Sequence, residues 1–466
     1  MRNLTDARRG RFAGFSVSAA GALISCTAQA QSAPTYVDPS QQNLARVAVY
    51  VARICADFRT TSPPTTTLQG ALFDRCRRIV NETSPDAIAR NAIDQITPQE
   101  MIAQDAAIGG SVSAQTLGVA ARMSAMSHFA MGGDALAMAF RPIELADASD
   151  EDASNAAASA IANQGRLQAF GSATYAGGRQ RASALESGFG VDLESATLGL
   201  DMRASPTVTL GIAGAYGHTK LDFSNNNGSL RTQAWTGSGY VLIQPSDRLE
   251  LSTLLAYSQV SYNSRRPVSY QINFVLPTGI SGTDAVNGTA FSRTHASQFE
   301  ITTNGFYNLG KGDWTFGPAV QASYTHLHIN KFQETGSTTE VASLAFQFGD
   351  QNAESLLLSL GLDVTRPFST NAGIVSPYFR IRGMYEALDN RRLIAIRYIN
   401  GPSAPTASAG GINLVTTSPD RDRYSISAGV AAQFSSGVSG FIDAQTLLGL
   451  QRVRQYALTV GLRIEL

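Results

Sequence analysis

Tyr456-Ala457-Leu458-Thr459-Val460-Gly461-Leu462-Arg463-Ile464-Glu465-Leu466 closes the chain, and its alternation decides the fold. Every even position is large and apolar, and every odd one is small, polar or charged. A period of two marks a strand with one apolar face. In a soluble sandwich that face turns to a core; in a membrane barrel it turns to lipid. The pattern recurs upstream. Val208, Leu210, Ile212 and Tyr216 alternate with Thr209, Gly211, Ala213 and Ala215. Trp314, Phe316, Val320 and Tyr324 alternate with Thr315, Gly317, Gln321 and Ser323, and Leu356, Leu358, Leu360, Leu362 and Val364 with Ser359, Gly361, Asp363 and Thr365. Pro318, Leu254 and Leu357 interrupt it.

Connection lengths favour the barrel. Twelve strands begin near residues 167, 194, 207, 230, 248, 291, 313, 354, 374, 422, 438 and 453. Short turns at 204–206, 245–247, 310–313, 368–373 and 435–437 alternate with long polar loops at 177–192, 222–229, 264–290, 333–353 and 389–421. Short turns on one side and long loops on the other are the habit of outer-membrane barrels. An even strand count returns residues 166 and 466 to the same, periplasmic side. The fold class expected is therefore an all-β transmembrane barrel of about twelve antiparallel strands over 166–466, preceded by a small α-helical domain.

Composition agrees. Only 15% of the 466 residues are charged, against about 25% in soluble domains, and glycine (42 residues) with polar uncharged side chains takes their place. Thirty-six basic and thirty-six acidic residues cancel, so nothing draws the chain to a phosphate backbone and no nucleic-acid partner is expected. No stretch reaches the ~18–20 apolar residues of a membrane-spanning helix.

Residues 1–30 read as an export signal: Arg2, Arg8, Arg9 and Arg11, then a mostly apolar run over 12–24, then Ala28-Gln29-Ala30 with cleavage expected after Ala30. Leu23-Ile24-Ser25-Cys26 also resembles a lipobox, which would put a lipid on Cys26. Residues 31–145 read as a small helical domain. Leu44, Val47, Ala48, Val51, Ile54 and Cys55 mark one helix face, and Leu68, Leu72, Phe73, Cys76 and Ile79 a second, across a Pro-Thr turn at 62–67. A third helix is expected over about 85–96, and Thr97-Pro98-Gln99-Glu100 fits a capping box opening a fourth that continues to about His128. In an oxidising compartment Cys55 and Cys76 are expected to bridge the hairpin, two separate buried thiols being the alternative. Residues 146–165, acidic and then Ala/Ser-rich, read as a connector lying in the barrel lumen as a helix or extended plug.

Three stretches carry a family resemblance. Ala353-Glu-Ser-Leu-Leu-Leu-Ser-Leu-Gly-Leu-Asp-Val and Gly373-Ile-Val-Ser-Pro-Tyr-Phe-Arg-Ile-Arg-Gly-Met-Tyr-Glu-Ala-Leu-Asp-Asn resemble two strands of the autotransporter (type V secretion) translocator barrel, with Pro377, Arg380, Glu386 and Asp389 in register. Ala92-Ile-Asp-Gln-Ile-Thr-Pro-Gln-Glu resembles the helix that often precedes such barrels. Met384-Tyr385 stands where that family usually has Trp and its neighbour, Leu466 where it ends on Phe or Trp, and about 115 helical residues where it carries a long β-solenoid passenger. The resemblance implies the outer membrane of a Gram-negative bacterium, outer-membrane lipid and the barrel assembly machinery as partners, a monomeric barrel, and a helix threaded through the pore.

Parity places Asp201, Arg203, Glu300, Arg380, Arg382, Glu386, Asp443 and Arg463 in the lumen, where they pair with one another or with that helix. Tyr456, Leu458, Val460, Leu462, Ile464 and Leu466 form the C-terminal signal for barrel insertion. Catalytic chemistry is not expected. The chain has five histidines, no nucleophile elbow, phosphate loop or His-Glu-x-x-His motif, and no cofactor or metal motif; His326 and His328 share a strand face but read as a solvated edge. Two functions remain open. One is an autotransporter-type barrel that anchors or translocates a short helical passenger. The other is a passive channel with a periplasmic helical domain that binds a partner.

Overall fold

The computed structural model describes residues 41–103, 118–120, 123, 167–183, 185–224, 228–371, 373–388, 392–417, 420–434, 438–450 and 452–466. The export signal with Ala30 and Cys26, His128, the connector at 146–165 and Asp389 lie outside them.

Three helices come first: α1 (Gln42–Thr60), α2 (Thr67–Val80) and α3 (Asp86–Ile96). The strands are β1 (Leu167–Gln180), β2 (Phe189–Ser205), β3 (Val208–Phe223), β4 (Ser229–Ser246), β5 (Leu249–Val275), β6 (Ser281–Tyr307) and β7 (Thr315–Ile329). Then come β8 (Phe332–Gly336), the short helix α4 (Thr339–Ser343), β9 (Phe346–Phe348), β10 (Gln351–Thr365), β11 (Phe368–Thr370), β12 (Gly373–Glu386), β13 (Leu393–Tyr398) and β14 (Ile412–Val415). Last are β15 (Asp422–Phe434), β16 (Val438–Leu448) and β17 (Val453–Glu465).

Twelve of these strands close an antiparallel barrel in the order β1 to β7, β10, β12, β15, β16, β17, and β17 returns to β1 over thirteen registered pairs from Gln168↔Glu465 to Gln180↔Val453. No edge is left unpaired around the ring, which is what lipid demands of a spanning sheet. Leu466 N–H donates to the Leu167 carbonyl at 3.1 Å, so both ends of the barrel domain lie at one mouth, here the near mouth. Tight turns such as residues 206–207 and 247–248 share it. Most of the longer connections gather at the far mouth, where β8, β9, β13 and β14 form a small second sheet.

The largest departure from the sequence reading is at 264–290, expected as a loop. It is the continuation of β5 and β6, a ladder from Leu249↔Tyr307 to Val275↔Ser281 that stands well beyond its neighbours. The alternation was present: Arg266, Val268, Tyr270, Ile272 and Phe274 are buried, while Arg265, Ser269, Gln271 and Asn273 are exposed. Pro267 obscured it. Pairing with β4 ends at Arg265, so Pro267 lies on a free edge, where a missing N–H costs no ladder bond. That edge is then covered: Thr83 N–H donates to the Asn273 carbonyl (2.8 Å) and Val275 N–H to the Asn81 carbonyl (3.1 Å).

The expected capping box is also corrected. Thr97 Oγ1 donates back to the Ile93 carbonyl at 2.8 Å and so finishes α3; a 3₁₀ turn, Gln99–Met101, follows, and of the fourth helix expected to about His128 the described residues beyond Ala103 are 118–120 and 123. Upstream, α1 and α2 form an antiparallel pair joined by Cys55–Cys76, with Cα atoms 5.6 Å apart. Thr66 caps α2 by accepting from Gln69 N–H at 3.2 Å.

One core spans the helices and the far mouth. Val47, Val51, Ile54, Leu72, Ile79, Ile93 and Ile96 pack with Val268 and Ile272 of β5, Val286 of β6, Phe346 and Phe348 of β9, Ile394 and Tyr398 of β13, and Leu414 of β14. At ~1.5–3 kcal/mol for each fully buried large aliphatic or aromatic side chain, this is a substantial joint, not a loose tether.

Candidate functional site

The site is the path from the helices into the barrel. Where α3 ends, two arginines of the far mouth hold the departing chain. Arg266, fully buried, donates from Nη1 to the carbonyls of Gln95 and Ile96 (3.2 Å each) and from Nη2 and Nε to Glu334 (2.6 and 2.9 Å). Burial works against its charge, yet the Glu334 carboxylate more than offsets this and holds its pKa above the ordinary arginine value. Arg392 donates to the Ile102 carbonyl (3.2 Å) and to Gln351 Oε1 (2.9 Å). Three residues past the end of α3, Ser187 Oγ donates to Gln99 Oε1.

The helices are bolted on by further polar contacts. Arg75 and Arg78 of α2 both pair with Asp284 of β6, the latter at 2.8 Å, and Tyr270 OH adds a hydrogen bond at 3.3 Å. Asn43 donates to the carbonyls of Leu185 (2.9 Å) and Val415 (2.8 Å) and accepts from Val415 N–H. Asp57 accepts from Ser408 N–H (2.8 Å) and Oγ (2.6 Å). Tyr50 stacks on Tyr398 with ring centroids 5.6 Å apart, and burial pushes its pKa up to about 12.

Below the clamp Ala103 enters a ring of inward apolar side chains that includes Phe189, Leu221, Leu230, Val260, Tyr262 and Leu327. Residues 118–120 and 123 are helical, and Val119 and Met123 pack on Phe170 of β1, Ala213 of β3, Tyr240 of β4 and Leu254 of β5. Leu254 lies six to eight residues nearer the near mouth than Val260 and Tyr262, roughly 20–27 Å along β5. A Cβ on Gly118 would stand 2.6 Å from Ser172 Oγ and 3.2 Å from Thr197 Oγ1, so glycine is what permits so close an approach to the wall. Leu254 breaks the alternation of its strand because its inward face meets this helix, not water. That break was the readable signal for a helix in the lumen. The segment 146–165, expected in the lumen, lies outside the described residues; of the chain before it, Ala103, 118–120 and 123 meet the inner wall.

The opposite wall carries charge in pairs. Arg382 of β12 holds Asp363 of β10 at 2.8 and 2.9 Å. Arg380 pairs with Asp443 of β16, which also accepts from Tyr378 OH at 2.9 Å. Glu386 accepts from Ser355 Oγ (2.7 Å) and Leu356 N–H (2.9 Å) and lies 3.8 Å from Arg423. Elsewhere on the inner face Asp201 accepts from Tyr240 OH (3.1 Å), Glu300 from Thr302 Oγ1 (3.0 Å), and Arg463 donates to Glu465 (3.0 Å). Arg203, near the end of β2, is half-buried. Asp363 and Arg423 were missed, although Asp363 sits at an inward position of the Leu-Gly-Leu-Asp-Val alternation.

Outside, the apolar belt has two edges. Trp314 and Tyr324 lie ten residues apart on β7 and its approach, about 33 Å along the strand and about 25 Å in height at the usual tilt. Tyr216, Trp235 and Tyr257 share the upper edge, with Tyr216 and Trp235 ring centroids 4.7 Å apart. Tyr456, Leu458, Val460, Leu462, Ile464 and Leu466 are all exposed on the outer side of β17 and its end. His326 and His328 lie above the belt with separate partners, Glu354 at 3.3 Å and Asn352 at 2.7 Å.

The family model described as "Autotransporter beta-domain" matches residues 169–445, more than half of the chain. No curated protein sequence matches it. Among solved structures, the translocator domain of autotransporter NalP from Neisseria meningitidis is 14% identical, covering 74% of this chain and 98% of that one, with a TM-score of 0.49. The β domain of the Bordetella autotransporter BrkA is 14% identical over 65% and 100%, TM-score 0.39. The transport unit of AIDA-I from Escherichia coli is 12% identical over 73% and 98%, TM-score 0.37.

Proposed function

Since the chain belongs to the autotransporter β-domain family, and with it to the outer membrane of a Gram-negative bacterium, we propose that its short helical passenger crosses its own barrel and stays, as a cap built into the far mouth. Residues 1–30 direct export and are removed after Ala30; residues 31–145 supply the cap and lumen segment; residues 146–165 lead back to β1. The last strand is read by the barrel assembly machinery, and the product is a monomeric anchor in the lipid, not an enzyme.

One observation carries this reading. The chain meets Arg266 and Arg392 at the far mouth, Ala103 in the apolar ring, and Val119 and Met123 deeper in the barrel, while β1 starts at the near mouth. That succession describes a thread through the pore. An open channel with a periplasmic module would need the helices at the near mouth, whereas their packing partners are far-mouth strands.

A pair of introduced cysteines tests it. Gly118→Cys with Ser172→Cys should cross-link under mild oxidation in outer-membrane fractions, since the two side chains would stand within disulfide reach. The full-length chain should stay with those fractions and not enter the medium. Free thiols at both positions would contradict the threaded arrangement.

A further inference from the structure

The outer face of β3 to β6 changes character in three steps above the lipid belt. The aromatic row is Tyr216↔Trp235↔Gln259↔Ser297, in lateral register across the four strands. Two residues higher the row reads His218↔Gln233↔Ser261↔His295, and two higher again Lys220↔Arg231↔Asn263↔Arg293. Arg265 stands one more outward position up β5. Arg231, Arg265 and Arg293 are all exposed.

Four cations therefore share one patch. The acidic groups beside it are Asp222, which takes Lys220 at 2.6 Å, and Asp192 of β2, the registered neighbour of Lys220, so the three arginines carry the patch's excess charge. Arg293 Nε donates to Asn263 Oδ1 at 2.9 Å, which steadies the exposed guanidinium. The clustering begins at β3: on β2 the outward residues in register with Lys220 and His218 are Asp192 and Glu194. Lys220 and Arg231 stand four residues above Tyr216 and Trp235, about 13 Å along a strand or about 10 Å in height, in the headgroup layer, and Arg265 stands eight residues above Tyr257, about 26 Å along β5 or about 20 Å in height.

From this geometry we infer that the β3–β6 face is a docking site for a phosphorylated glycolipid of the outer leaflet. Guanidinium groups grip phosphate oxygens in pairs, and several together give the site its charge selectivity. Beside the patch, sharing Tyr216 and His218, an outward groove of about 460 Å³ is lined by Ala173, Tyr175, Ala196, Leu458 and Val460 with Glu194 at the His218 end, and its apolar part offers a seat for an acyl chain. The site needs the far mouth to face the outer leaflet but does not depend on the helical cap, so the two claims fail separately.

The full-length protein in neutral detergent, probed by native mass spectrometry with a diphosphorylated, acylated disaccharide and with its dephosphorylated form, provides the test. The phosphorylated probe should bind, weakening with added salt, and the dephosphorylated one should bind at least about ten-fold more weakly. R231A/R265A/R293A should lose at least about ten-fold in affinity, the corresponding triple lysine variant should keep most of it, and R248A/K311A at the near mouth should change nothing. Should the alanine triple fail to give a heat-modifiable barrel, the two probes on the unaltered protein decide alone. Equal binding of both probes, or an unchanged affinity in a folded alanine triple, would overturn the assignment.

Discussion

Arg266 and Glu334 form an ion pair at 2.6 Å with both side chains withdrawn from solvent, and the same guanidinium takes the last carbonyls of α3. The pair joins the helical cap to the barrel at the point where the chain turns down into the lumen. Removing one partner strands a buried charge, at a cost of about 3–5 kcal/mol. Glu334→Ala should therefore release the cap to protease while the barrel stays heat-modifiable. Replacing both by apolar residues, as in R266M/E334L, should be far milder, and limited proteolysis compares the two directly.

The disulfide works on the cap alone. Cys55 and Cys76 are separated by 21 positions, and opening a loop of that size costs on the order of 3 kcal/mol in the chain-entropy view. Cys55→Ser should lower the cap's thermal transition and leave the barrel's unchanged, read by calorimetry of the purified protein. A barrel transition that falls in step would mean the two do not unfold separately.

Alkali should loosen the cap before the barrel. Tyr50 is buried and its pKa is raised from the ordinary tyrosine value of 10.0 to about 12; burial also pushes Tyr270 and Tyr398 up. A raised folded value means the neutral form is favoured in the folded state. The contribution is whole below pH 10 and is lost as pH climbs from 10 towards 12, on the order of 2–3 kcal/mol for Tyr50. Protease sensitivity of the cap should rise over that window, and Tyr50→Phe should blunt the rise.

Much of this was legible in the sequence, and the misses have causes. Period-two alternation and turn lengths were enough for twelve strands because lipid allows only one face to be apolar. The extension of β5 and β6 was missed because Pro267 looks like a strand breaker until its free edge is known. Leu254 looked like noise in an outward pattern and is instead a contact to Val119 and Met123. The clamp could not be read at all: Arg266 lies 68 residues from Glu334 and more than 160 from the α3 carbonyls, and nothing local pairs them.

The lumen helix should gate conductance. Val119→Asp puts a charge against Phe170, Tyr240 and Leu254, a cost that drives the segment off the wall. Single-channel recordings in planar bilayers should show a larger or noisier open level than the unaltered protein. Identical traces would mean that this segment does not occlude the pore.

Sidedness tests the central claim most directly. Pro64→Cys, in the turn between α1 and α2, and Asp247→Cys, in a near-mouth turn, are each exposed to a membrane-impermeant maleimide on intact cells and again after the outer membrane is permeabilised. A cap at the cell surface predicts that position 64 labels on intact cells and position 247 only after permeabilisation. Labelling of 247 but not 64 on intact cells, or of 64 only after permeabilisation, would place the helices in the periplasm and contradict the account.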